Sequence, residues 1–388
     1  MSYTCSKKAL IFGILVAFVV AGIYMYYTIV VTKTDSSRPY QNISVVHPAL
    51  KFAVVIFRHG DRAPLYSYKT DPYTNAFPEG KSQLTKLGKR HMFTKGQILR
   101  RLYDGFLSKV YLPKEIYTKT TAVARTHMSA GLVLAGLYPP TGYQKWLDSE
   151  TVWQPIPIYG GSPDHSDGIF NNCPSGSSSF KTAIVKSTQL DNETHEELLS
   201  YLSNKCGQPI QLYDIYSLYD LLNCQINAGL QPPDWTNPNY YEQIAVIAER
   251  KESRQFLCGN KKLQNLFIGP LIKEIASEIQ EKSHNSTSEL QKMIMYSGHD
   301  LTIQFIATIL GNEMTQPHYG ASLHFHLYRY NETEGDIVKV LFYKSWNDNE
   351  GNTLPISDCG DPCKVDDFVK LFNGAFTKTW EEECQEEE

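Results

Sequence analysis

A central mixed sheet flanked by helices, with a mostly helical cap inserted into it, is the α/β fold class this sequence predicts, and three observations predict it. Apolar, β-branched runs such as Phe52-Ala53-Val54-Val55-Ile56-Phe57 and Met293-Ile294-Met295-Tyr296 end in glycine turns bearing charged groups, the pattern of buried strands that deliver loops. Helical periodicity fills the intervals between them, and strands alternating with helices build such sheets. From about residue 165 to 260 the strand pattern disappears and Pro209, Pro232-Pro233 and Pro238 divide helical stretches, which marks an insertion.

In chain order, strands are expected over residues 51–57, 115–121, 293–298, 321–330 and 337–345, the last two joined as a hairpin by 331–336. Leu84, Leu87, His91, Ile98, Leu102 and Phe106 outline a long amphipathic helix, and Leu266, Leu271, Ile275 and Ile279 another. Shorter helices are expected over 193–202 and 215–222. Residues 48–164 and 285–388 are thereby assigned to the α/β domain and 165–284 to the cap. His324 and His326 alternate with Phe325 and Leu327, which reads as the polar face of a hairpin rather than a metal pair.

At 388 residues and 42% apolar content the chain can bury a full core, and a formal net charge of −4 gives no basic face for nucleic acid. The acidic end, from Glu381 to Glu388, reads as a solvated tail. Near the other end, Lys7-Lys8 precede a charge-free run over residues 9–32, long enough to cross a bilayer as a helix. Two lysines before the run and one, Lys33, after it make residues 1–8 a cytoplasmic tail, 9–32 a signal anchor and 33–47 a stalk. A cleaved secretory signal competes, because Val19-Val20-Ala21 offers small-residue spacing, but the run continues from Ile23 to Val31.

Both readings put the remainder outside the cytosol. It is expected to be lumenal or extracellular on a single span, at the lysosome or cell surface, or else secreted. Glycosylation sequons beginning at Asn42, Asn192, Asn285 and Asn331 all follow the apolar run. So do Cys173, Cys206, Cys224, Cys258, Cys359, Cys363 and Cys384, as an oxidising compartment would allow. Cys359 and Cys363 have no second close Cys or His pair beside them, so their spacing argues against a metal site.

The chemistry concentrates in three loops. Arg58-His59-Gly60-Asp61-Arg62-Ala63-Pro64 sets two guanidinium groups around one imidazole. A guanidinium fork matches phosphoryl oxygens and stays charged at any working pH, while an imidazole with a free nitrogen can attack phosphorus. Ser297-Gly298-His299-Asp300 ends a second strand with an imidazole and a carboxylate. Between them, Arg125 lies near the start of an Ala/Leu-rich helix, where unpaired N–H groups favour anions.

As a set these residues resemble the histidine acid phosphatases, a branch of the histidine phosphatase superfamily. The resemblance rests on RHGxRxP as Arg58 to Pro64, on Arg125 before its helix and on the pair His299-Asp300. Trp153-Gln154-Pro155-Ile156-Pro157 and Leu137-Tyr138-Pro139-Pro140 are similar to the animal prostatic and lysosomal enzymes rather than the phytases. It covers about residues 50 to 384 and implies phosphate-monoester hydrolysis through a phosphohistidine.

In that reading His59 is the nucleophile, Asp300 the proton donor, and Arg58, Arg62, Arg125 and His299 hold the phosphoryl oxygens. No metal or other cofactor is implied. The resemblance also implies disulfides between Cys173 and Cys384 and between Cys359 and Cys363, leaving Cys206, Cys224 and Cys258 as one more than a pair can use. Two alternatives stand beside it: an inositol-polyphosphate or lysophospholipid phosphatase of the same superfamily, and a non-catalytic membrane glycoprotein that keeps the fold. The second would be expected to lack a reacting side chain, and none is missing. Expected partners are a phosphate monoester and, through the anchor, the membrane; the oligomeric state, a homodimer included, is left open.

Overall fold

β1 (Leu50–Arg58) explains the layering, because its side chains are buried on both faces. Phe52, Val54 and Ile56 join one hydrophobic cluster, and Ala53, Val55 and Phe57 join another on the opposite side of the sheet. A near-continuous apolar run is what a strand covered on both faces requires, each large side chain contributing about 1.5–3 kcal/mol on burial.

The structure, a computed structural model, describes residues 49–147, 153–161, 165, 173–189, 195–249, 258–284, 291–331, 335–376 and 378–385. The expected anchor at 9–32, the stalk at 33–47 and Asn42, Asn192 and Asn285 lie outside the described residues, as does the side chain of Asn331. Among the described residues no helix is long and apolar enough to cross a membrane.

β1 pairs in parallel with β4 (Met293–Gly298), and β4 with β2 (Ile116–Thr120), whose outer neighbour is the short β3 (Tyr159–Gly160). On its other side β1 is antiparallel to β5 (Ser322–Asn331), followed by β6 (Gly335–Tyr343) and β7 (Asn352–Leu354), with β8 (Cys363–Lys364) also on β6. The sheet is therefore mixed, and the hairpin lies on one side of the parallel strands.

α1 (Lys86–Leu102) and α2 (Ala124–Leu137) cover one face. They cross at glycines: a Cβ on Gly96 would lie 2.1 Å from the Val133 carbonyl oxygen, and one on Gly136 2.1 Å from that of Phe93. The other face is covered by α7 (Lys261–His284), α8 (Asp300–Ile309) and α9 (Val365–Ala375). Leu266, Phe267, Leu271 and Ile275 of α7 share a cluster with Phe52 and Val54, so residues 261–284, grouped with the cap on sequence, pack under the sheet.

α3 (Pro174–Gln189) runs beside α7 as well, and Cys173 is bonded to Cys384 of α10 (Trp380–Gln385). Closing a loop of 211 residues restricts the unfolded chain by about 5 kcal/mol in chain-entropy terms. The start of the acidic end is thus no solvated tail. Trp380 donates its indole N–H to the Leu266 carbonyl at 2.9 Å, and Glu383 is buried. Cys359 and Cys363 form the second disulfide, and Cys206, Cys224 and Cys258 are buried outside either bridge.

α4 (Glu196–Cys206), α5 (Ile215–Asn227) and α6 (Pro238–Ala248) enclose a core of their own around Leu202, Ile215, Leu222 and Ile244. Tyr68, on the loop after β1, is part of that core and ties the loop to these helices.

Candidate active site

Three parallel strands end side by side. Arg58 lies opposite Gly298 in register, and Ser297 opposite Thr120, so the loops after β1, β2 and β4 open at one edge. That edge, at the carboxyl ends of parallel strands, is where α/β sheets place their ligands. All six residues singled out in sequence arrive there.

The loop after β1 is pressed against α1. A Cβ on Gly88 would lie 2.1 Å from the Asp61 carbonyl oxygen, and one on Gly60 would meet Met92 at 2.6 Å. Gly60 N–H donates to Ser129 Oγ of α2 at 3.1 Å, and His91 Nδ1 meets Asp61 Oδ2 at 2.7 Å while its ring stacks on Trp346. Asp61 therefore holds the loop in place rather than facing a substrate.

His59 is buried, with Nδ1 2.8 Å from the Gly60 carbonyl oxygen. A carbonyl only accepts, so Nδ1 carries the proton and Nε2 the lone pair. Burial, then the charges of Arg125 and Arg58, push the imidazole well below its usual range, so it stays neutral in acid. The His299 ring lies edge-on, 5.6 Å away between centroids. Arg125 Nη2 donates to His299 Nδ1 at 3.3 Å, and His299 Nε2 donates to Thr121 Oγ1 at 3.0 Å. Burial and Arg125 lower His299 to about 3.

Arg58 donates to the Pro317 carbonyl at 2.6 Å, pairs with Asp300 Oδ2 at 3.1 Å and lies over the Tyr319 ring at 4.1 Å. Arg62 is held from the opposite side. Its two terminal nitrogens each meet one Asp220 oxygen at 3.0 Å, a fork on α5, and Nη1 lies 3.3 Å from Cys224 Sγ. Nε of Arg58 and Nε of Arg62 are buried without a hydrogen-bond partner. Buried donors of this kind are costly unless an anion accepts from them.

Asp300 accepts at both oxygens. Leu301 N–H reaches Oδ1 at 2.9 Å, while Arg58 and Gln316 Nε2, the latter at 2.6 Å, reach Oδ2. Burial alone would raise this carboxyl, but Arg58 and Gln316 outweigh it and hold it far below the ordinary carboxylate range. Asp220, Cys224, Gln316 and Tyr319 were not legible as site residues. On α5 the i, i+4, i+8 positions Tyr216, Asp220 and Cys224 share one face, but such a face reads equally as surface or core.

Residues 49–343 match the sequence profile described as the histidine phosphatase superfamily (branch 2). The chain belongs to that superfamily. Within this branch, similar proteins include human lysosomal acid phosphatase, 30% identical over 359 residues that cover 89% of this chain and 83% of the relative. Human prostatic acid phosphatase is 29% identical over 355 residues, covering 88% and 89%. Among solved structures, the phytase of Citrobacter braakii superposes with a TM-score of 0.62 at 16% identity, covering 87% of this chain and 99% of that one. The apo phytase of Hafnia alvei gives 0.59 at 17%, covering 88% and 100%. The phytase likenesses concern the fold that this member of the superfamily shares with them.

Proposed function

We infer that this chain is an acid phosphatase that hydrolyses phosphate monoesters through a phosphohistidine on His59. The carrying observation is the convergence of Arg58, Arg62 and Arg125 on a buried imidazole whose Nε2 bears the lone pair. The relatives named lysosomal and prostatic acid phosphatase support the activity.

Phosphoryl transfer asks a protein chiefly for positioning and for stabilisation of charge on the equatorial oxygens. His59 Nε2 attacks phosphorus; the P–N bond forms as the ester P–O bond breaks, and the departing oxygen takes a proton from Asp300. Water then attacks phosphorus, giving a proton to the Asp300 carboxylate; the new P–O bond forms as the P–N bond breaks, its electron pair returns to His59 Nε2, and inorganic phosphate leaves. Without substrate Asp300 is ionised, held so by Arg58. A phosphoryl group competing for Arg58 removes that hold and adds negative charge nearby, and both raise the carboxyl towards the protonated form a donor needs. Arg58 thus couples substrate binding to arming of the acid.

Residues 9–32 serve in this reading as a retained anchor, with glycans at Asn42, Asn192, Asn285 and Asn331 on the lumenal or extracellular side and residues 195–249 as the cap. Support comes from the uncharged run after Lys7-Lys8, the sequons beyond it and two disulfides. Carbonate extraction should leave the glycosylated chain in the membrane; a mature chain beginning at Gly22 would contradict the anchor. For the activity, the test is turnover of an aryl phosphate at acid pH beside the His59→Ala variant. Wild-type turnover that the variant lacks is expected, and no turnover by either would favour the non-catalytic glycoprotein.

A further inference from the structure

Two tyrosine rings stand exposed at the outer end of this site, and both hydroxyls are tied. Tyr216 is 41% exposed and Tyr66 44%. Gln316 Nε2 donates to Asp300 Oδ2 at 2.6 Å and also reaches the Tyr216 hydroxyl at 3.3 Å. The Tyr216 ring therefore stands two hydrogen bonds from the carboxylate that serves the leaving oxygen. Tyr66, two residues beyond Pro64, is hydrogen-bonded through its hydroxyl to Ser217 Oγ, the next residue along α5. One cap helix thus holds Arg62 with Asp220 at its deeper positions and fixes two aromatic rings at its outer ones.

With the hydroxyls engaged, what remains for a ligand is ring surface held in place beforehand, which lowers the ordering cost of an apolar contact. The charged side chains bearing most on Tyr66 are Asp220, Arg62 and Asp214. Two are acidic, and the third is forked onto Asp220. Leu65, also exposed, adds apolar surface beside Tyr66.

We propose that Tyr66 and Tyr216 form a leaving-group subsite that takes the aromatic or apolar alcohol portion of a phosphate monoester and disfavours an alcohol carrying further phosphates. This rests on the hydrolysis through His59 inferred above. Tyr216 lies on the Asp300 side, where the leaving group departs, and Tyr66 is fixed to Ser217 beside it, so the rings grip the part of the substrate that the phosphoryl cradle does not. An inositol polyphosphate would bring additional negative charge against Asp214 and Asp220, and Arg62, the arginine among the charges bearing on Tyr66, is already paired with Asp220.

The test compares kcat/KM for 1-naphthyl phosphate, methyl phosphate and inositol hexakisphosphate in the full-length protein. Each ratio is taken within one preparation, so the folded fraction cancels. The wild type should prefer naphthyl phosphate to the hexakisphosphate. Tyr66→Ala and Tyr216→Ala should each lower the naphthyl-to-methyl ratio about tenfold, mainly through KM, whereas the Phe variants should lose much less, since the ring does the binding and the hydroxyl only holds it in place. Tyr216→Lys should raise hexakisphosphate turnover relative to naphthyl phosphate. A ratio unchanged in both Ala variants, or a wild type that prefers the hexakisphosphate, would overturn the subsite. Absence of any phosphoenzyme in the wild type is a different failure, that of the His59 reading itself.

Discussion

Two pairs of buried histidines lie among the described residues, and only one pair is set among arginines. His59 and His299 stand at the sheet's loop edge; His324 and His326 stand along β5, in the core beneath α1. Burial pushes all four imidazoles below their usual range. The difference is in their neighbours. Every ring nitrogen of the core pair is satisfied by a hydroxyl: Tyr103 bridges His324 Nδ1 and His326 Nε2 at 2.8 Å each, Ser322 meets His324 at 2.9 Å, and Tyr328 meets His326 at 2.9 Å. The loop-edge pair is surrounded by guanidinium groups, and the buried Nε donors of Arg58 and Arg62 are still open. Burial neutralises an imidazole in both places; in the function proposed above, the positive charge beside His59 is what suits it to act as the nucleophile.

The largest expected effects set one pair against the other. His59→Ala should lower kcat by at least about a thousandfold with little change in melting temperature, as expected when a nucleophile is removed. His326→Ala should do the reverse, costing about 2–4 kcal/mol of stability because it opens a cavity and strips Tyr103 and Tyr328 of a partner. Denaturation curves beside steady-state kinetics for both variants would separate the two roles.

The Arg62–Asp220 fork offers the next effect. Arg62→Ala should cost about 2–4 kcal/mol of transition-state stabilisation, the range for one preorganised donor. Asp220→Ala should cost a similar amount by releasing Arg62 from its position, and the double variant should lose far less than the sum. Additive losses in a double-mutant cycle would mean that Asp220 acts on something other than Arg62.

A further effect concerns pH. His326 has its folded value lowered to about 3 against an ordinary 6.5, so the unfolded chain binds more protons between those values. Its contribution is therefore fully present above pH 6.5 and is lost as pH falls towards 3, on the order of a few kcal/mol. His326→Phe should flatten the dependence of unfolding free energy on pH across that window. An unchanged slope would show that His326 is not neutral in the fold.

The same two pairs show how much the sequence could say. Apolar runs ending in charged glycine turns marked β1 and β4 because burial on both faces leaves no polar position inside such strands. The site loops were legible for the same reason, since three arginines, two histidines and an aspartate have no cause to follow strands unless a ligand needs them. Ser322, His324, His326 and Tyr328 alternate along β5 and so look like a solvated face. Their burial depends on α1, which sets Lys95 and Tyr103 against them; Lys95 donates to Ser322 at 2.8 Å, and burial lowers it to about 7. A lysine inside an apolar helical stripe gave no warning of that. Asp220 was hidden too, because docking of α5 over the loop after β1 depends on tertiary contacts that no local pattern records.

The distinction between the two pairs meets its most direct test in trapping the intermediate. Wild-type enzyme mixed with phosphorus-32-labelled aryl phosphate and quenched within the first turnover should carry close to one label per chain, acid-labile and alkali-stable. Peptide mapping should place it on His59 at Nε2, with no label in His59→Ala. Label on Cys224, the buried thiol beside Arg62, or turnover by an active enzyme with no labelled chain at any quench time, would contradict nucleophilic catalysis by His59.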